Sequence, residues 1–184
     1  MPLSAKPLQP DSFLDPLHII LTEHDRQSRV AEWLWTHSGD QRLAPIQEQV
    51  VTLLAYLTRD LLLHHRDEED DLFPVLRARC VPTDGIETIL AELDRDHAAE
   101  GFLVRDIAVD LRVVAESRDL EAPARFFTSL RIFAEGQRRH LSWENRVVMP
   151  LAGKRLTRQD LETLGRNMAA RRGIDYGATR ESRS

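Results

Sequence analysis

Apolar residues recur at three- and four-residue intervals along nearly the whole chain, the period of a helix with one buried face. A first helix is expected to start near Ser12 or at Asp15-Pro16, where an N-cap residue precedes an early proline, and to run to about His37, before Ser38-Gly39-Asp40. A second begins near Pro45 and carries Val50, Leu53, Leu57 and Leu61 as its apolar row. Pro74 should kink or end it, because proline lacks the N–H and crowds the preceding turn. Turn chemistry at Cys80 to Gly85 leads into a third helix, with Ile86, Leu90, Leu93, Val104, Ala108 and Leu111 on one side. Ser117 to Pro123 is the next break, and a fourth helix carries Phe126, Leu130, Phe133, Val147 and Val148 and ends near Pro150. A short fifth, Thr157 to about Arg172, shows Leu161, Leu164 and Met168, with Gly173 as its stop. No strand pattern competes. The expected fold is all-α, an up-down four-helix bundle with a short extra C-terminal helix. Its parts are an extended arm over 1–12, the bundle over 13–151, the added helix over 152–173 and a disordered tail over 174–184.

Composition narrows the class. At 184 residues and 42% hydrophobic, the chain can bury one core without staples. Its one cysteine, Cys80, excludes a disulfide scaffold and a cysteine-rich metal site. With 25 basic and 30 acidic residues it lacks the basic surplus of a nucleic-acid binder, so no nucleic-acid partner is expected. The first residues have no signal-peptide pattern, and no apolar run nears the roughly 20 residues that span a bilayer, so a cytoplasmic protein without a membrane partner is expected.

Two segments repeat one pattern. His64 is followed by Glu68 and Pro74, and His140 by Glu144 and Pro150, with a large apolar residue, Phe73 or Met149, before each proline. Each preceding helix adds one histidine: His24 lies 40 residues before His64, and His97 lies 43 before His140. Residues four apart share a helix face, so each of these helices can aim an imidazole and a carboxylate at the same point. Four imidazoles and two carboxylates form a nitrogen–oxygen set suited to iron or manganese and tolerable to zinc. Carboxylates from opposite helices of a bundle can hold a dinuclear centre, and the metals would compensate their buried charge.

This signature resembles the hemerythrin-like, or HHE cation-binding, family of di-iron four-helix bundles, and the likeness spans about residues 14–151. The resemblance implies two iron ions with an oxo or hydroxo bridge, manganese or zinc being the substitutes. Carried across, the ligands are His24, His64, Glu68, His97, His140 and Glu144. His24 and His64 would hold one ion, His97 and His140 the other, and Glu68 and Glu144 would bridge. Oxygen-carrying hemerythrins have a further histidine where this chain has Gly101, and a bridging aspartate where it has Asn145. The ligand set is closer to that of the di-iron iron–sulfur repair proteins, although their N-terminal cysteine-bearing domain is absent from this sequence. Without the fifth imidazole each metal keeps an open position, which favours reaction over reversible carriage. The expected function is binding of, or reaction with, oxygen, nitric oxide or hydrogen peroxide, as a di-iron oxidoreductase or in a stress response. Such a protein would draw on an electron donor or pass iron to a protein partner. The alternatives are a reversible oxygen or nitric oxide sensor or carrier, an iron-storage or iron-donor protein, and a metal-free helical interaction module.

Other polar residues receive plainer readings. His65 also has a carboxylate four residues on, Glu69, but lies out of register with the other motif. His18 and His37 fall on other faces or at a helix end, and the run from Asp67 to Asp71 reads mostly as a solvated face. Tyr56 reads as a core residue two turns from His64, and Glu100 as a candidate extra ligand near the missing imidazole. Trp33, Trp35 and Trp143 read as packing residues, and Cys80 has no partner that would make it a nucleophile.

Overall fold

The computed structural model describes residues 7–116 and 122–176, and among these there are helices and turns but no strand. Helix α1 is Pro16–Gly39, with Asp15 accepting the His18 N–H at 3.1 Å as its cap. A short helix, Leu43–Glu48, then leads into α2, which spans residues 50–79. Helix α3 is Ile86–Glu116, α4 spans residues 126–155 and α5 is Arg158–Arg171. Cross-helix pairs fix the directions. Glu23 meets His64 and Arg26 meets Asp60, so α1 and α2 run antiparallel. Glu69 with His97 and His65 with Glu100 give the same result for α2 and α3. His97 with His140 and Glu100 with Gln137 give it for α3 and α4. The fold is thus the expected up-down bundle.

The buried apolar residues fall into two groups. One holds Val30, Leu34, Leu53, Leu57, Ile107, Leu111, Leu130 and Phe133. The other holds Ile20, Leu72, Phe73, Leu90, Leu93, Val148 and Met168. On every bundle helix the histidine or glutamate singled out from sequence lies between the two groups. A polar layer is therefore sealed by apolar packing above and below, each fully buried large side chain contributing roughly 1.5–3 kcal/mol.

Two of the four bundle helices are locally widened at the motif. Residues Glu68–Leu72 and Glu144–Val148 form π turns, in which the Phe73 N–H donates to the Glu68 carbonyl and the Met149 N–H to the Glu144 carbonyl. A third π turn, Tyr56–Asp60, lies higher on α2 and has no proline after it. Pro74, expected to kink or end its helix, does not end it, since α2 continues to Arg79, and the expected end of the fourth helix near Pro150 is corrected to Arg155. The widened turn just before each proline leaves room for its ring and absorbs the missing donor.

Two outer boundaries also move. Residues 10–12 are not extended but begin a 3-10 turn, Pro10–Leu14, which buries Phe13 completely. Residues 152–155 belong to α4 rather than to the added helix. Thr157 and Asp160 cap the start of α5 reciprocally: the Thr157 hydroxyl accepts the Asp160 N–H at 3.2 Å, and the Asp160 carboxylate accepts the Thr157 N–H at 2.8 Å. Arg79 donates to both Asp160 oxygens at 2.9 Å, which ties that start to the end of α2. Gly165 must be glycine, because a Cβ there would stand 2.1 Å from the Phe13 carbonyl oxygen. Ile174 and Tyr176, placed by sequence in the tail, pack on the lower apolar group. The remainder of the expected arm (1–6), most of the Ser117 to Pro123 break (117–121) and the rest of the tail (177–184) lie outside the described residues.

Candidate metal centre

The sealed layer brings together all six residues that the sequence pattern nominates. His24, His64, Glu68 and Glu144 each offer one donor atom within 4.8 Å of the others, and so do Glu68, His97, His140 and Glu144. Both carboxylates belong to both groups, which is the arrangement that two bridges between two ions require. The imidazole Nε2 atoms point inward. His24 Nε2 lies 3.4 Å from Glu68 and 3.3 Å from Glu144, His64 Nε2 3.4 Å from Glu68, and His140 Nε2 3.0 Å from Glu144. His97 Nε2 stands 3.5 Å from Glu68 and 3.0 Å from His140 Nε2.

Those spacings suit the edges of a coordination polyhedron. Donors about 2.1 Å from one ion stand about 3.0 Å apart at right angles and about 3.4 Å apart at a tetrahedral angle. Several of these atoms, His64 Nε2, Glu68 Oε2 and both Glu144 oxygens, are buried with no hydrogen-bond partner among the described residues. Buried polar atoms without partners are expensive, and a cation between them is the cheapest remedy.

The outward nitrogens show how the imidazoles are held. His24 Nδ1 donates to Asn145 Oδ1 at 2.7 Å, His64 Nδ1 to Glu23 at 3.0 Å and His97 Nδ1 to Glu69 at 2.8 Å. His140 Nδ1 faces Asp96 at a looser 3.6 Å. A proton kept on Nδ1 leaves the Nε2 lone pair free for a metal. Each backing residue is the sequence neighbour of a ligand candidate on its own helix, yet it serves the next helix. Glu23 beside His24 holds His64, and Glu69 beside Glu68 holds His97. Asp96 beside His97 faces His140, and Asn145 beside Glu144 holds His24. The ring closes around the bundle.

Charge follows the same plan. Burial pushes the His64 pKa well down, helped by His24, and burial lowers that of His97 against its bond to Glu69, so both rings stay neutral. Burial and the neighbouring Glu144 push the Glu68 carboxyl well up. For Glu144 burial acts in the same sense, but His140, His24 and His64 outweigh it and hold its pKa low. One carboxylate of the pair is thus ready to ionise and the other resists until a cation arrives.

A family model for the hemerythrin HHE cation binding domain matches residues 15–152. The chain belongs to that family. It is also similar to an uncharacterized protein of Haemophilus influenzae, 24% identical over 179 residues, covering 91% of this chain and 97% of that protein. In this HHE bundle the family match ends before α5, so the added helix is a feature of the chain beyond the matched domain.

The remaining candidates separate cleanly. Glu100 is in neither donor group; it accepts from Gln137 Nε2 at 2.5 Å and pairs with His65 Nε2 at 3.1 Å. His65 is not a member either, but its ring stacks on His97 at 3.9 Å and helps fix that imidazole. Tyr56 is buried in the upper apolar group under Arg26, where burial raises its pKa. His37 donates to the Trp33 carbonyl and His18 is exposed. Burial and Asp84 raise the Cys80 thiol, against the thiolate a nucleophile needs. The acidic run is a correction. Asp67 is fully buried and paired with Arg171 and Arg172, Asp71 with Arg171 and Asn167, and Asp70 with Arg171 at a longer 3.7 Å, so three of the five residues face α5. The backing residues Glu23, Asp96, Glu69 and Asn145 were missed from sequence. Apart from the place of Asn145 at the family's aspartate position and of Glu69 four residues after His65, their signal was adjacency to a ligand candidate.

Proposed function

We propose that the chain is a non-haem di-iron protein that binds or reacts with a small diatomic or peroxide: oxygen, nitric oxide or hydrogen peroxide. The observation that carries this reading is the pair of shared carboxylates, Glu68 and Glu144, between two imidazole pairs whose Nε2 lone pairs converge. His24 and His64 would hold one iron, His97 and His140 the other, with manganese or zinc as the substitutes the same donors accept. Bound iron would supply one-electron redox chemistry and a Lewis acid.

The protein's own residues do the rest. The Nδ1 bonds keep His24, His64 and His97 in the metal-binding tautomer, Asp96 faces Nδ1 of His140, and the apolar groups above and below exclude water. At Gly101 an added Cβ would meet nothing within 4 Å, and this residue lines a groove of about 630 Å3 together with His97, His65 and Glu69. A small molecule therefore has a route toward the layer where an oxygen carrier would have a fifth imidazole. That favours reaction over reversible carriage. A redox role needs an electron donor, and an iron-donor role an accepting protein; both remain part of the proposal.

The test is metal content and optical spectrum of the aerobically purified chain. About two irons per chain with near-ultraviolet charge-transfer bands are expected, followed by rapid oxidation of the reduced form on mixing with one of the three ligands. Zinc alone, or no metal after anaerobic iron reconstitution, overturns the redox reading.

A further inference from the structure

The backing ring is not equally firm around the bundle. Glu23, which holds His64, is itself gripped by Arg172, whose guanidinium donates to Glu23 Oε1 at 3.1 Å. The same guanidinium lies 2.7 Å from the buried Asp67, the residue just before Glu68, and donates to the Met168 carbonyl at 3.1 Å. One side chain at the end of α5 thus joins α1 and α2 beside ligand candidates of both. Among the described residues no other backing residue of the ring has such a clamp. The Glu69 carboxylate is 41% exposed, with His97 as its bonding partner, and Asp96, besides facing His140, pairs with Arg139, which is 66% exposed, at 3.3 Å. Exposed pairs of that kind hold geometry weakly. Open grooves also flank α3 on both sides, one lined by His97 and the other by His140.

We infer that Arg172 is a positioning residue that locks the His24–His64 half of the centre, so that the two metal positions are unequal and the His97–His140 half is the exchangeable one. The inference rests on the metal-pair reading above. A backing carboxylate fixes ring orientation, and its loss typically costs 10–100-fold in metal affinity. A carboxylate that is itself fixed by a bidentate-capable guanidinium spends less time away from the imidazole. Metal leaves the clamped half slowly because Nε2 of His64 cannot swing away. It leaves the other half sooner because Glu69 and Asp96 can turn to solvent. Ions and small ligands would enter from the α3 side, where the grooves lie.

The experiment loads the full chain with cobalt(II) or zinc and follows release to a chromogenic chelator. The wild-type chain should lose two ions in two phases at least about tenfold apart. Arg172→Ala should quicken the slow phase about tenfold or more and leave the fast phase unchanged, with Arg172→Lys restoring part of the delay. Arg171→Ala is the control for mere loosening of α5: Arg171 pairs with Asp67 and Asp71 but not with Glu23, and its loss should leave the slow phase in place. Glu69→Gln should quicken only the fast phase. Should Arg172→Ala fail to fold by circular dichroism, Arg172→Gln replaces it. Two ions leaving in one phase overturn the inference alone, as does equal acceleration by Arg171→Ala and Arg172→Ala. A chain that retains fewer than two ions overturns the metal-pair reading, and the inference with it.

Discussion

Replacing Glu68 by glutamine should change stability in opposite directions with and without metal. Glu68 is fully buried, its Oε2 has no hydrogen-bond partner among the described residues, and it shares the layer with a second buried carboxylate, Glu144. In the metal-free protein this is a cost, because a carboxylate out of water beside a like charge must stay charged unfavourably or take up a proton. Glu68→Gln keeps the shape and removes the ionisable group, so the metal-free variant should gain about 1–3 kcal/mol at neutral pH. In a domain of this size that is a rise of roughly 3–10 °C in melting temperature. The sign of the pH effect follows from the raised folded-state pKa. Above the ordinary value of 4.5, the folded state holds a proton that the unfolded state has released, so wild-type stability falls as pH rises. The gain from the substitution should therefore be absent below about pH 4.5 and grow toward pH 8. With metal the sign reverses. An ion present at a thousand times its dissociation constant stabilises by about 4 kcal/mol, and loss of a shared bridge should remove most of that for both ions. The assay is differential scanning calorimetry of wild type and variant, metal-free and metal-loaded, at pH 5 and pH 8. A variant that is less stable without metal, yet still gains the full increment from it, would refute the reasoning.

Three further outcomes follow from neighbouring residues. His64→Ala should cost at least one bound metal per chain, whereas His65→Ala should keep both, since only His64 belongs to a donor group; metal analysis of the purified variants decides it. Gly165→Ala should destabilise by about 1–3 kcal/mol in urea unfolding, because the Phe13 carbonyl lies where the methyl would go, and an unchanged midpoint would contradict that contact. Asp160 is held at about 2 by Arg79 first and also by Thr157, against an ordinary value of 3.8. Its contribution is present above about pH 3.8 and lost as pH falls toward 2, so Asp160→Asn should cost about 1 kcal/mol near neutrality, and the penalty should shrink below pH 3.8.

The helices were legible because one buried face imposes its period on any sequence that folds this way. Val50, Leu53, Leu57 and Leu61 show it on α2, and Phe126, Leu130 and Phe133 on α4. The six ligand candidates were legible for a similar local reason: residues four apart on a helix meet at one point, and the repeat of His64–Glu68 as His140–Glu144 marked the layer. What surrounds them was not local. Which neighbour of a ligand candidate reaches the next helix depends on how the helices are rotated and staggered, so nothing local pairs Glu23 with His64 or Asn145 with His24. The π turns depend on how a helix relieves a proline while its side chains stay committed to packing on both sides. Asp67 read as solvated until α5 was folded against it, and Arg172 lies 149 residues from the Glu23 it holds. Local periodicity determines the helices and their inward faces. The contacts that orient the centre exist only once distant segments are packed together, and that was for the tertiary structure to decide.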